Sequence, residues 1–591
     1  MKLRFTAHSE VYLPNAFSLN PSVLQSLGAY ELAPPRGIQF SSSVYHVSAT
    51  SEPDSGYGLS APEPNPFSEA TTFSLHLETP ETPMHVGSLM LLDLPKGWRG
   101  DFYDDVKAMI AERMHLVTLL RRKLLTMPFD LADPVWVEDD DVDLDYHVRS
   151  VTLRKPGSMA QLEALVARLH SSLLDRSRPL WEVFIIDGLK SGQVALYTKV
   201  HHAGIDGQAG VAVAKAIFDL APTGRVIKPP RPRARHNRYQ LGIAELASAA
   251  ARNAVRQYAK LIRMAPSMAR AVRDVVVPEK DEHGKRQWSL PDVKVFAPRT
   301  LLNTAITNQR SFAGRMIPLA ETKFIAKTFG VTLNDVVMGT TAGALRRYLR
   351  EYDDLPDKPL VAAVPVSLRA QGDESANNQV SMLRMSLGTD VADPVERLKV
   401  IHESSDAGKA MMSRVKTVIP SDFPMLGSPW LVSGIASLLG RSRLANVVPP
   451  FANLIISNVA GIPVPLYYAG ASVACYYPVS IPAHSMALNV TVQSYNGRLD
   501  YGLIACRRTL PDVNDLGDYL LAEHQTLLAR AQAHEKESEN VKAPAPAMIE
   551  SAPPATTVTR SRGKTERKLK LVADTAAAPR KRAAARTRRA G

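Results

Sequence analysis

The alternation of apolar and polar positions divides the chain into two stretches rich in strand and helix signals. Segments without sustained period separate and flank them. In the first stretch, "TFSLHLETPETPMHVGSLMLLDL" predicts two strands around a Pro-rich break. Val106, Ile110, Met114, Val117, Leu120 and Leu124 follow with helical spacing. Gly157-Ser158 opens a further helix, with Ser158 as its N-cap. "PLWEVFIIDGL" and "QVALYTKV" are apolar runs that read as two buried strands, and the second delivers the chain to His201-His202. In the second stretch, Thr332 and Asn334 are capping candidates ahead of the apolar-periodic "VVMGTTAGALRRYL". "PLVAAVPVSLR" is β-rich, Asn496-Gly497 lies between alternating runs and predicts a hairpin, and a closing helix is expected near Asp512–Ala531.

The similar strand-and-helix mixture of the two stretches suggests a pseudo-symmetric α/β pair, which suits 591 residues better than one core. The expected organisation is a poorly ordered extension over 1–67, a first domain over 68–221, a connector over 222–310, a second domain over 311–531 and a disordered tail over 532–591. Within the connector, residues 241–265 predict a helix with Ala251, Val255, Tyr258 and Ile262 on one side and Arg252, Arg256, Lys260 and Arg263 on another. Such a helix either lies on an anionic lipid surface or packs on its own protein with a solvated basic face.

The net charge of +13 resembles a nucleic-acid signal until it is located. Residues 551–591 carry twelve Lys/Arg against two acids, so +10 belongs to the tail and +3 to the other 550 residues. The tail is open to polyanions, whether nucleic acid, anionic lipid or an inclusion surface, or it is simply solvated. Two cysteines, no apolar leader in "MKLRFTAHSEVYLPNAF" and no membrane-spanning run lead to an expectation of a soluble or peripheral protein of a reducing cytosol.

The chemistry concentrates in "YTKVHHAGIDGQAGVAV". Adjacent histidines on a strand point to opposite sides, and no further ligand set accompanies them, so no metal is expected. Gly204, Gly207 and Gly210 lack the Lys and spacing of a phosphate loop, and no nucleophile elbow is present. Two readings stay open from these residues: an imidazole acting alone as general base in acyl transfer to an alcohol, or a structural pair at a strand end.

"HHAGIDG" fits the HHxxxDG septet of CoA-dependent acyltransferases and of nonribosomal peptide condensation domains. More narrowly, "ETPMHVGSL", "VDLDYHVR", "PLWEVFIIDGL", "TLNDVVMGTTAGALRRYL", "VPVSLR", "NNQVS", "SNVAGIPVPLYYAGA" and "ALNVTVQSYNGRLDYGL" occur in the order seen in the bacterial wax ester synthase/diacylglycerol acyltransferase family, which the chain resembles from about residue 68 to 531. The resemblance implies a chloramphenicol-acetyltransferase-like α/β (α+β) fold of two domains with a tunnel between them. It implies transfer of a fatty acyl group from acyl-CoA, as co-substrate rather than cofactor, to diacylglycerol or a long-chain alcohol, in the cytoplasm at an inner-membrane or lipid-inclusion surface. On that resemblance His202 is the general base, His201 and Gly207 shape the turn, and Asp206 is mainly structural and pairs with Arg369. Asn334 and Asp335 match the family's second signature, Asn458 lies near the tunnel, and Ala483-His484 departs from the glycine-rich sequence of many relatives. The rival functions are acyl transfer from a carrier-protein thioester and a non-catalytic protein that tethers lipid inclusions or nucleic acid.

Overall fold

The structure is a computed structural model that describes residues 74–125, 134–139, 141–205, 207–229, 296–367, 380–415, 446 and 448–542. The extension over 1–67, the basic connector helix and the segment 551–591 lie outside those residues.

The first half begins with β1 (His85–Asp93), α1 (Phe102–Arg113), β2 (Arg122–Leu125) and β3 (Val135–Glu138). It continues through α2 (Leu144–His147), β4 (Val148–Thr152), α3 (Met159–His170), β5 (Trp181–Asp187), β6 (Val194–His201) and α4 (Gly207–Ile217). The second half contains β7 (Arg310–Pro318), α5 (Leu319–Phe329), α6 (Leu333–Glu351), β8 (Val361–Ser367), β9 (Val380–Ser386) and α7 (Pro394–Val415). It ends with β10 (Leu454–Val459), β11 (Tyr467–Tyr468), β12 (Ala471–Val479), β13 (Leu488–Tyr495), β14 (Arg498–Cys506) and α8 (Val513–Lys542).

Two six-stranded mixed sheets result, in the orders β11-β12-β1-β6-β5-β4 and β7-β14-β13-β10-β8-β9. β4/β5, β10/β13 and β10/β8 pair in parallel and the other neighbours antiparallel. On one face of the first sheet α3 seats Leu162, Leu165 and Val166 against Leu89, Phe184 and Ala195. α1 places Phe102, Val106, Met109 and Ile110 in a cluster with Met90, Leu196 and Ile217. The second sheet is covered by α6 and the start of α8, through Val337, Leu345, Leu516 and Leu520.

Several expectations hold at the level of single residues. Ser158 caps α3, its hydroxyl accepting the Gln161 N–H while the Gln161 carboxamide returns a bond to the Ser158 N–H. Asn496 and Gly497 carry φ of 41° and 80° in the hairpin between β13 and β14, the left-handed pair that a type I′ turn requires. Other expectations are corrected. Only the second of the two strand-like runs near the start is a strand, since residues 74–77 form one helical turn. The helix expected from Val106 to Leu124 stops at Arg113, after which two 3₁₀ turns lead into β2. α8 runs on to Lys542, into the segment expected to be a disordered tail.

The segment 467–479 leaves the second sheet after β10 and joins the first, with β12 pairing along β1. The back of β12 is bonded to β14, where the Asp500 carboxylate accepts the Tyr476 N–H at 2.7 Å and Arg498 donates to the Ala474 carbonyl. Asp500 is fully buried, and its second carboxylate oxygen has no hydrogen-bond partner. Burial pushes its pKa up to about 6, against the pull of the Tyr476 N–H and Arg498. The native state therefore holds this proton up to about pH 6, whereas the unfolded chain releases it near 3.8. The group favours the fold below the unfolded value and loses that contribution as pH rises through 6. Asp500→Asn keeps an acceptor for Tyr476 and removes the charge. It is expected to raise stability at pH 7.5 by on the order of 3 kcal/mol, with about half of that gain left at pH 5. Melting curves of the two proteins at both pH values check this, and a pH-independent difference contradicts it.

Candidate active site

β6 ends at His201, and the turn that follows has its backbone donors accounted for one by one. The His201 N–H donates to the Leu180 carbonyl at 3.0 Å and the His202 N–H to the Met84 carbonyl at 2.8 Å. The Ala203 N–H donates to His201 Nδ1 at 3.0 Å, and the Gly204 N–H to the His201 carbonyl at 2.9 Å. A Cβ on Gly204 would stand 2.3 Å from Leu119 Cδ1, so the Leu119 side chain would have to shift to admit one. α4 starts at Gly207, the last residue of the septet.

The two imidazoles have different surroundings. His201 is fully buried, on the strand face that also carries Tyr197 and Lys199. Beneath that face, Tyr197 donates its hydroxyl to His170 Nδ1 at 2.7 Å, and Lys199 pairs with Glu182 at 2.6 Å. His201 Nδ1 accepts the Ala203 N–H, whereas Nε2 lies 3.2 Å from Glu78 Oε1 without a hydrogen bond of good geometry. His202 is half-buried. Burial, followed by the neighbouring His201, pushes the His202 pKa below its ordinary value, so the ring is neutral at pH 7. Asp206 and Arg369 lie outside the described residues.

A second cluster forms where β10 meets the start of α6. Asn458 Nδ2 donates to Asn334 Oδ1 at 3.4 Å, which joins two residues that stand 124 positions apart. Thr332, not Asn334, caps α6, and Asp335 completes the capping box by accepting the Thr332 N–H at 2.9 Å. Asp335 is fully buried and also accepts a hydrogen bond from His402 Nδ1 of α7 at 2.7 Å. Burial favours the protonated acid, but the Thr332 and His402 donors outweigh it and hold the carboxyl below its ordinary range. Asp335 thus orients the helix end that carries Asn334. No hydrogen bond or ion pair among the described residues links this cluster to His202. A cavity of about 400 Å³ lined by Leu301, Thr304, Asn446, Arg508 and Thr509 includes none of the motif residues.

Sequence reasoning passed over Glu78, Met84 and His402. Each owes its place to a partner distant in the chain, as with His402 and Asp335, 67 residues apart. Nothing local separates Glu78 from Glu81 in "ETPETP".

A half-buried, neutral imidazole on a tightly held turn is a group that can accept a proton and return it. Residues 67–337 match the wax ester synthase/diacylglycerol acyltransferase catalytic domain and residues 376–527 the WS/DGAT C-terminal domain, and the chain belongs to that family. It is an O-acyltransferase. A probable diacylglycerol O-acyltransferase of Mycobacterium tuberculosis is 35% identical over 449 residues, which cover 75% of this chain and 94% of that protein. The O-acyltransferase WSD of Acinetobacter baylyi is 33% identical over 457 residues, covering 76% and 94%. The wax ester synthase/diacylglycerol acyltransferase of Marinobacter aquaeolei superposes with a TM-score of 0.58 at 32% identity, over 79% of this chain and all of that one. The α/β architecture of two halves expected from the sequence is thereby established, and the non-catalytic tether is set aside.

Proposed function

We propose that the enzyme transfers a long-chain fatty acyl group from acyl-CoA to diacylglycerol or a long-chain alcohol, with His202 as general base. The acceptor hydroxyl gives its proton to His202 as its oxygen attacks the thioester carbonyl. Backbone or side-chain donors hold the developing oxyanion. The tetrahedral intermediate then expels CoA thiolate, which takes the proton back from the imidazolium, leaving ester and free CoA without an acyl-enzyme. The observation that carries this reading is the unequal burial of the two histidines, His201 being sealed and His202 half-buried, with burial holding the His202 imidazole neutral. Asn334 and Asn458 then shape the far side of a tunnel between the halves, the Asp206–Arg369 pair holds the septet, and the protein works at a lipid surface.

The test offers radiolabelled palmitoyl-CoA with competing diacylglycerol and hexadecanol and separates the products by lipid class. Label in triacylglycerol, wax ester or both is expected. Label found only as free fatty acid would make the protein a thioesterase and overturn the reading.

A further inference from the structure

Glu78 stands before β1 and receives three hydrogen bonds on one buried carboxylate, with the His201 imidazole beside it as a fourth neighbour. Its Oε1 accepts the Met84 N–H at 3.0 Å and lies 3.2 Å from His201 Nε2. Its Oε2 accepts Arg176 Nε at 3.1 Å and the terminal Arg176 nitrogen at 2.7 Å. A tight turn closed by reciprocal Thr79 and Thr82 backbone bonds, 3.3 and 3.0 Å, brings Glu78 and Met84 together. Arg310 from the second half braces that turn by donating to the Glu81 carbonyl at 2.7 Å.

We propose that Glu78 is the positioning residue of the catalytic turn, holding His201 through its imidazole and His202 through the Met84 peptide. The proposal rests on His202 being the base. The Ala203 N–H occupies the lone pair of His201 Nδ1, which assigns the ring proton to Nε2, facing the carboxylate. The Met84 N–H is bonded to Glu78 while the Met84 carbonyl accepts the His202 N–H at 2.8 Å. A shift of one carboxylate therefore displaces the backbone on both sides of the turn. The carboxylate is charged: burial opposes ionisation, yet His201, Arg176 and the Met84 N–H together bring it down to about 2.

The other titratable groups near His201 are already balanced. Lys199 is paired with Glu182, and burial holds the His85 and His170 imidazoles neutral. Glu78 and Arg176 are left as the charged pair whose disturbance the turn would register.

The test compares wild-type enzyme, Glu78→Ala, Glu78→Gln and His202→Ala as full chains, with kcat, KM and the pH profile referred to the folded fraction from circular dichroism. A displaced base costs kcat rather than substrate binding. Glu78→Ala is expected to lose about 10²-fold in kcat with KM for palmitoyl-CoA within about 2-fold, the scale of a 1 Å misplacement. Glu78→Gln keeps one acceptor and is expected to recover part of that loss. Losing the negative charge also leaves Arg176 unbalanced beside the histidines, so its ascending limb of kcat/KM should move to lower pH. A merely structural ion pair would leave kcat per folded molecule and the position of that limb unchanged in both variants, and that result overturns the proposal. If His202→Ala kept its turnover, the base assignment would fail and this proposal with it. If His202→Ala is inactive while both Glu78 variants keep wild-type kcat, the positioning role alone fails.

Discussion

His202→Ala is expected to lose at least about 10²-fold in kcat, the lower end of what a positioned general base contributes, while KM and melting temperature stay near those of the parent. The separation of activity from stability follows from which atoms of His202 hold the fold. The Met84 carbonyl binds its backbone N–H, which alanine retains, and the half-buried ring can be removed without opening a sealed cavity. His201→Ala should behave in the opposite manner. It deletes the acceptor of the Ala203 N–H and the ring facing Glu78, and it leaves a void in a fully buried position. A second readout belongs to the same experiment. Because the His202 pKa is lowered, the basic form persists below pH 6.5 and the ascending limb of kcat/KM should have its midpoint below that value. Steady-state rates from pH 5 to 8, with melting curves on the same preparations, check both points. Near-normal turnover by His202→Ala would remove histidine base catalysis from this enzyme.

What was legible in the sequence is what a short window decides. β5 and β6 are covered by partners on both sides, so their apolar runs are nearly unbroken, and their positions could be read directly. The Ser158 cap, the Thr332 cap (one of two candidates) and the Asn496-Gly497 turn are local chemistry and appeared where expected. The overextended first helix shows the limit of periodicity. Val117, Leu120 and Leu124 are buried as the pattern requires, but 3₁₀ turns and a strand bury them equally well. The septet itself was legible, and so was the prominence of Asn334 and Asn458. The hydrogen bond between those two was not, because the 124-residue separation leaves no local trace. The same holds for β12, whose composition marks a strand but whose choice of sheet is set by β1 and β14. Glu78 is the sharpest case, since it is indistinguishable from its neighbours until the fold surrounds it with Arg176, Met84 and His201.

Gly502→Ala is expected to destabilise the fold by roughly 3 kcal/mol, the upper end of overpacking costs. Gly502 of β14 lies directly opposite Gly314 of β7 in the ladder, so the two leave a bare patch on the second sheet. β12 of the first sheet lies over that patch. A Cβ at Gly502 would stand 1.7 Å from the Pro478 carbonyl oxygen, and one at Gly314 would stand 2.9 Å from the Tyr477 ring. The Tyr477 side chain has some freedom to yield, but the Pro478 carbonyl does not, because Pro478 faces Ser88 of β1 in the ladder. Making room at Gly502 therefore means moving β12, then β1, and with β1 the strand that begins opposite His201. Loss of melting temperature should be accompanied by loss of turnover per folded molecule, although Gly502 contacts no part of the septet. Gly210→Ala is the control: its Cβ meets nothing within 4 Å, and in a helix the change should be neutral or stabilising by about 0.5–1 kcal/mol. Comparing melting temperature and specific activity of both variants decides the matter. If Gly502→Ala melts with the parent, β12 can lift from β14 at little cost, and the close approach of the strands is not what joins the two sheets.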